Sequence, residues 1–226
     1  MKKGFTLSEV LITLGIIGVI AALTIPAIVT NYRNKIYVAQ LKRVYGQITE
    51  AAQTIMTEEQ TDNFYTTSAG IPQDDTGENC KTGACYFLRN YFKTMNENCA
   101  TGDHPCVGDS YKGLNGTALT VKPGGSFCAQ TTNGATICAT HNTNNQVTSI
   151  TVDVNGKDDP NTAGRDVFSM DMKTDGTLSD YESGSNVPGS EGAPAERCGN
   201  GSTSSINAAA AGCLTRIIED GWVMKY

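Results

Sequence analysis

Hydrophobic positions are distributed very unevenly along this chain. Two lysines and Gly4 precede an unbroken apolar run from Phe5 to Val29, 25 residues carrying one charge, Glu9. About 20 apolar residues are enough to cross the hydrocarbon core of a bilayer as a helix. Within lipid the backbone must satisfy its own hydrogen bonds, so the run is predicted to be helical. The pattern then changes but does not stop. Tyr37, Leu41, Val44, Ile48, Ala52 and Ile55 recur at steps of three or four, one apolar stripe on a helix flanked by Arg33, Lys35, Lys42 and Arg43. A single helix from Phe5 to Glu59 would be about 80 Å long. Its residues 5–29 are apolar all round, and residues 30–60 have one apolar side that should be buried on a globular head.

The head, residues 61–226, begins with a predicted loop over residues 60–82, with Gly70, Pro72 and Gly77. A short helix is expected from Cys85 to Met95, where Phe87, Leu88, Tyr91, Phe92 and Met95 repeat at helical spacing. Residues 99–116 are polar and turn-rich. From Thr117 the period falls to two, giving candidate strands at Thr117–Val121, Ser126–Gln130, Ala135–His141, Val147–Val154 and Asp166–Met172, with Asp175-Gly176 turning the last toward Leu178. The loop Thr132-Asn133-Gly134 signals a hairpin. A two-residue turn would set Cys128 opposite Ala139; a three-residue loop with Gly134 left-handed sets Cys128 opposite Cys138, and this register is preferred because it brings the cysteines within bridging distance. Residues 183–205, rich in Ser, Gly and Asn, read as a mobile loop. Ile206–Asp220 reads as a second helix capped by Gly221. The fold class that follows is α+β: a long N-terminal transmembrane and amphipathic helix on a small antiparallel sheet of four or five strands, tied by disulfides, with a C-terminal helix.

Charge and cysteine content sharpen this picture. The net charge is −6; residues 1–60 hold six Lys/Arg against four Asp/Glu, and the head holds 11 against 19. An acidic head is not expected to bind nucleic acid through a general phosphate-facing field. All eight cysteines, Cys80, Cys85, Cys99, Cys106, Cys128, Cys138, Cys198 and Cys213, lie beyond the apolar run. An even count past an export element points to disulfides and an oxidising space. The alternative, a zinc site, favours C-x-x-C pairs, and none occurs. Cys213 could tie back to Cys198. Basic residues flank both ends of the span, so the cysteines decide its orientation: N-terminus in the cytoplasm, head outside.

Three details set the apolar run apart from a secretory signal. Its basic leader is only four residues long, and no small-residue cleavage pattern closes the run; the small residue sits before it, at Gly4. Glu9 is an acid inside a spanning helix, which costs about 2.5–3.5 kcal/mol at mid-membrane and marks a functional position. It either lies at headgroup level and reaches water, or it needs a cation such as a freed amine on Phe5. Pro26 falls inside the helical pattern, where it would kink or loosen the helix.

The residues K-G-F-T-L-S-E-V, with Glu9 and Pro26, resemble the type IV pilin and pseudopilin superfamily. The resemblance covers roughly the first 30 to 60 residues. It implies that prepilin peptidase cuts between Gly4 and Phe5 and methylates the new N-terminal Phe5. It implies that Glu9 neutralises the terminal amine of a neighbouring subunit during assembly, and that Pro26 marks where the helix bends or melts. It also implies a bacterial inner-membrane precursor, single-pass and lipid-embedded before assembly. Its partners would be copies of itself or other pilin-like subunits and an inner-membrane assembly platform. The expected function is a structural subunit of a type IV pilus or type II secretion pseudopilus. The alternative is a minor pilin-like component of a tip, an adhesin or a DNA-uptake filament.

Two further chemistries bear on the head. The segment Val152–Phe168 gathers Asp153, Asn155, Asp158, Asp159, Asn161 and Asp166, and oxygen-rich loops can hold calcium. The EF-hand template fails at its glycine and final glutamate positions, so a structural calcium at Asp153, Asn155, Asp158, Asp159 and Asp166 competes with a plain turn. No other cofactor is expected. No H-E-x-x-H, G-x-S-x-G or P-loop pattern occurs, the two histidines, His104 and His141, lie apart, and no enzymatic activity is expected.

Overall fold

The computed structural model describes residues 4, 6–71, 80–100, 105–125, 127–141, 147–182, 192–199 and 205–226. The chain divides into two compact units, Met1–Ile36 and Tyr37–Tyr226.

Helix α1, Leu7–Glu58, contributes to both units. In the first unit its apolar side chains are exposed, among them Leu11, Leu14, Ile17, Ile20, Leu23 and Ile28. Among the described residues it is the one helix long and apolar enough to cross a membrane. Threonine hydroxyls there bond back within the helix: Thr24 Oγ1 donates to the Ile20 carbonyl at 2.9 Å and Thr30 Oγ1 to the Pro26 carbonyl at 3.0 Å. Such back-bonding keeps a polar side chain compatible with an apolar medium. Pro26 has no N–H to offer its preceding turn, yet the chain stays helical through it.

In the second unit the predicted stripe is buried: Leu41, Val44, Ile48, Ala52 and Ile55 have no exposure and Tyr37 little. These residues join Ile137, Ile150, Val152, Phe168 and Met170 in one core cluster. The sheet holding that core is fully antiparallel, with strand order β1-β4-β5-β6-β7-β8. Its strands are β1 Thr94–Glu97, β4 Phe127–Thr131, β5 Thr136–His141, β6 Val147–Asp153, β7 Val167–Met172 and β8 Leu178–Asp180. A separate two-stranded sheet pairs β2, Tyr111–Lys112, with β3, Ala118–Leu119.

The hairpin between β4 and β5 adopts the three-residue loop. Thr131 N–H donates to the Ala135 carbonyl at 2.8 Å, Gly134 N–H to the Thr131 carbonyl at 2.9 Å, and Gly134 has φ +91°. That register sets Cys128 opposite Cys138, 4.0 Å apart at Cα, and the two are bridged. The other disulfides are Cys80–Cys85, Cys99–Cys106 and Cys198–Cys213, so every cysteine is paired and none remains as a metal thiolate.

Four expectations need correction. The helix expected over residues 85–95 is α2, Gly83–Tyr91. Phe92 is extended, and the chain enters β1 because β4 offers an open edge there; Met95, expected on the apolar face, is 63% exposed. The stretch called only polar and turn-rich contains β2, whose Tyr111 is buried. The main sheet has six strands rather than four or five. The C-terminal helix is two helices, α3 Ile206–Ala210 and α4 Cys213–Glu219. Gly212 breaks it with φ +84°, and a Cβ there would lie 2.4 Å from the Pro194 carbonyl oxygen. The end of α4 follows expectation: Gly221 and Trp222 N–H donate to the Ile218 and Ile217 carbonyls, a glycine-terminated cap. Trp222 is packed, edge-on to Tyr45 with Lys42 Nζ 5.4 Å from its ring. The loop expected over 183–205 lies mostly outside the described residues; within it, Ala195–Arg197 forms a 3-10 turn.

Candidate functional site

The first candidate lies where α1 begins. Phe5 is outside the described residues, as are Lys2 and Lys3. Gly4 is exposed, and a Cβ on it would meet nothing within 4 Å. Thr6 is the residue before the first helical position. Its hydroxyl accepts from Glu9 N–H at 3.3 Å, while Glu9 Oε2 accepts from Thr6 N–H at 2.8 Å and from the Thr6 hydroxyl at 2.8 Å. This is a reciprocal capping box, which satisfies two of the donors a helix start leaves open. The signal T-x-x-E stands in the sequence as Thr6-Leu7-Ser8-Glu9, and reading Glu9 only as an acid in search of a cation misses it. Glu9 remains exposed, on a helix whose other faces are apolar.

The second candidate is the loop between β6 and β7. Asp153 and Val167 are paired across the strands, and Val154 N–H donates to the Asp166 carbonyl at 2.9 Å, so the loop's two ends lie side by side. Asp153, Asn161 and Asp166 are buried, at 1%, 4% and 0% exposure. Asp166 Oδ1 accepts from Thr162 N–H at 2.6 Å. Asp153 Oδ2 accepts from the Tyr111 hydroxyl at 3.0 Å, and Tyr111 in turn accepts from Gly108 N–H at 2.7 Å. Asn161 sits beneath Gly108: a Cβ there would be 2.6 Å from its carboxamide nitrogen.

Four side-chain oxygens of the loop have no hydrogen-bond partner among the described residues. Asp153 Oδ1, Asn155 Oδ1, Asn161 Oδ1 and Asp166 Oδ2 are buried and unpartnered among the described residues. A buried acceptor left without a partner costs about 1–3 kcal/mol, more when charged. Burial, then the charge of Asp166, pushes the Asp153 carboxyl well above the carboxylate range, and burial raises Asp166 to about 6. Asp158 and Asp159 stand differently: the Asp158 carbonyl accepts from Asn155 Nδ2, and Asp159 Oδ1 accepts from Asn161 Nδ2 at 3.4 Å. Among the described residues no three His, Cys, Asp or Glu side chains come together as a metal-binding group.

Other polar features serve the fold. Asp180 closes β8 and holds the start of α4, its two oxygens accepting from Gly212 and Thr215 N–H at 2.8 Å each; burial raises it to about 6. Asp171 accepts from Glu182 N–H at 3.1 Å, and burial, with Asp180 and Glu182 adding charge, raises it to about 7. Neither was singled out from sequence, because their partners lie 11 to 35 residues away. Glu58 and Glu59, adjacent at the end of α1, each take a hydrogen bond. Glu58 accepts from the Tyr91 hydroxyl at 2.6 Å and Glu59 from Ser68 N–H at 2.9 Å, whereas Asp74 and Asp75 are outside the described residues. His104 is also outside them. An open groove of about 630 Å³ lies between the C-terminal half of α1, the end of α2 and the β4–β5 turn. Arg43, Glu50, Glu58 and Lys93 line it with opposed charges.

Residues 1–25 match the family described as the prokaryotic N-terminal methylation motif, the signature of type IV pilins and pseudopilins. The matched stretch contains Gly4, Phe5, Thr6 and Glu9, and it ends before Pro26. Neither curated proteins nor solved structures give a match.

Proposed function

We propose that this chain is a structural subunit of a type IV pilus-like filament or a type II secretion pseudopilus, made as a precursor that prepilin peptidase cleaves after Gly4. The reading is supported by the coincidence, within the methylation motif, of the Gly4-Phe5 junction, an acid four residues on, and a helix whose apolar side chains are exposed among the described residues. The motif is that of structural proteins rather than enzymes.

The physics of assembly follows from Glu9. Before assembly its carboxylate is satisfied by Thr6, a neutral pairing that leaves the charge itself uncompensated. Cleavage before Phe5 creates an amine, and a carboxylate meeting that cation in a low-dielectric bundle gains far more than it would in water. Apolar helices gathered side by side exclude the rest of the lipid, and the Glu9–amine pair fixes the axial stagger between neighbours. Methylation of Phe5 keeps the cationic charge while adding apolar surface. The head then faces the oxidising side and forms the filament surface.

Intact-mass analysis of filaments sheared from cells tests this. It should give a chain that begins at Phe5, carries one methyl group and contains four disulfides. Replacing Glu9 with glutamine should leave a cleaved, membrane-held subunit that forms no filament. Mature material that still begins at Met1, or normal filament yield from the glutamine variant, contradicts the reading.

A minor subunit at a tip, in adhesion or in DNA uptake is the second reading, favoured only by the large, disulfide-tied head. Copy number separates the two: a principal subunit recurs along the whole fibre, whereas a tip subunit is present once or a few times per filament.

A further inference from the structure

We propose that the groove beside the C-terminal half of α1 binds a neutral oligosaccharide. Its volume, about 630 Å³, falls within the range of small-molecule sites, about 300–1,000 Å³. One wall is a single face of α1: Arg43, Gln47, Glu50, Thr54 and Glu58 follow at steps of three or four over about 22 Å. The other wall is built by residues 90–93, where α2 gives way to β1, and by residues 131–133 of the β4–β5 turn. A trough of that length suits a chain of several sugar rings better than one compact metabolite. The lining also mixes donors and acceptors. A sugar hydroxyl both donates and accepts, so its partners must offer both. Gln47 Oε1 is a buried acceptor with no donor among the described residues. The Asn133 carboxamide oxygen takes the Thr131 hydroxyl, and Asn90 gives an N–H to the Tyr86 carbonyl, so the first still offers N–H groups and the second an oxygen. Thr132 adds an exposed hydroxyl at the turn.

Charge and shape argue against other occupants. Two cations, Arg43 and Lys93, stand against two carboxylates, Glu50 and Glu58, so the groove has no net field with which to select a polyanion or a metal cation. Among the described residues none of the four is in an ion pair. Extended peptides are held by a free sheet edge or by apolar anchor pockets. The edge strand beside the groove is β1, and its register shifts between Thr94 and Asn96, which interrupts such an edge. The large apolar side chains of the lining are aromatic. Tyr91 and Phe92 are half-buried, Tyr91 held by its bond to Glu58 at 2.6 Å and Phe92 edge-on to Phe87 with ring centres 5.5 Å apart. Rings held in this way take the C–H face of a sugar while the polar side chains take its hydroxyls, with little ordering left for binding to supply.

The full-length protein, in a detergent without a sugar headgroup, would be titrated by calorimetry with chitohexaose, cellohexaose and maltohexaose. A Gly-Ser heptapeptide and a heparin hexasaccharide serve as the rival occupants. At least one neutral sugar should bind at one site per chain with a dissociation constant of about 1 mM or tighter. The peptide and the heparin fragment should not bind. Gln47→Ala and Thr132→Ala should each weaken binding of that sugar about fivefold, the loss of one neutral hydrogen bond. Gln47→Ala strands no buried partner among the described residues, and Thr132 is exposed, so both variants should keep the wild-type unfolding midpoint. The proposal is overturned if none of the three sugars binds at about 10 mM. It is also overturned if the peptide or the heparin fragment binds in their place, or if both variants bind the sugar as wild type does. None of these results bears on cleavage or filament formation, which are read separately.

Discussion

Glu9 and Thr6 hold each other: the glutamate takes two hydrogen bonds from the threonine, both at 2.8 Å, and returns one from its own N–H at 3.3 Å. The same carboxylate that, on the proposed assembly, meets a neighbour's amine is therefore already placed by the residue two positions after the proposed cut. Thr6→Ala removes the hydroxyl and one side of the box, a change worth about 1 kcal/mol at a helix start. Hydrogen exchange of the full chain in detergent should show the amides of residues 7–10 exchanging about fivefold faster, with head amides unchanged. Equal exchange in the two proteins would mean the box contributes nothing to helix order.

Gly212 and Gly221 bracket α4, both at positive φ, but only one is crowded. Alanine at Gly221 meets nothing within 4 Å, so its penalty is the left-handed backbone alone, about 1 kcal/mol. Alanine at Gly212 adds a collision with the Pro194 carbonyl and Cys198 nitrogen and should destabilise by about 3 kcal/mol. Thermal unfolding of the two variants should rank Gly212→Ala well below Gly221→Ala.

Asp171 is raised by burial from its ordinary value to about 7. A carboxyl raised in the folded state favours folding while it is protonated, and that contribution is present below pH 4 and lost as pH climbs through 7. The unfolding midpoint should therefore fall between pH 5 and pH 8 by more than surface charge accounts for. Asp171→Asn keeps an acceptor for Glu182 N–H and should flatten that part of the profile. A variant with the wild-type slope assigns the effect to another group.

Asn207 ties α3 to the sheet, its Oδ1 accepting from Thr151 and Ser169 hydroxyls at 2.9 Å each. Both hydroxyls are buried, and they lie 3.3 Å from each other. Asn207→Ala leaves one of them without an acceptor, and a loss of about 1–2 kcal/mol is expected. Asn207→Asp, which keeps the oxygen, should lose less. Denaturant midpoints with an unchanged slope give the comparison.

How far the fold could be read from sequence depended on the distance over which each signal acts. The helical stripe of Tyr37 to Ile55 and the Thr132-Asn133-Gly134 loop are local patterns, and both appear as read, down to the register that places Cys128 against Cys138. The short helix at Gly83–Tyr91 was overextended because Met95 continues the right spacing, while the open edge of β4 that claims residues 94–97 is encoded more than 30 residues later. The break at Gly212 was missed for the same reason: Ala211-Gly212 sits inside a plausible helix, and only the Pro194 carbonyl and the Asp180 carboxylate explain it. At the N-terminus, Gly4, Phe5 and Glu9 all lie within the stretch that the methylation motif matches. The capping partner Thr6 is as local a signal, three residues before Glu9 in T-x-x-E.

The cysteines pair strictly in order along the chain, first with second, third with fourth, and so on, across separations of only 5, 7, 10 and 15 residues. Synthesis runs from the N-terminus, so on the proposed export of the head the polypeptide can complete each crosslink before the next thiol emerges. Mispaired intermediates have little opportunity to form. A dithiol oxidase acting during translocation would then suffice for maturation, and loss of a disulfide-shuffling enzyme should leave the yield of correctly linked subunit unchanged.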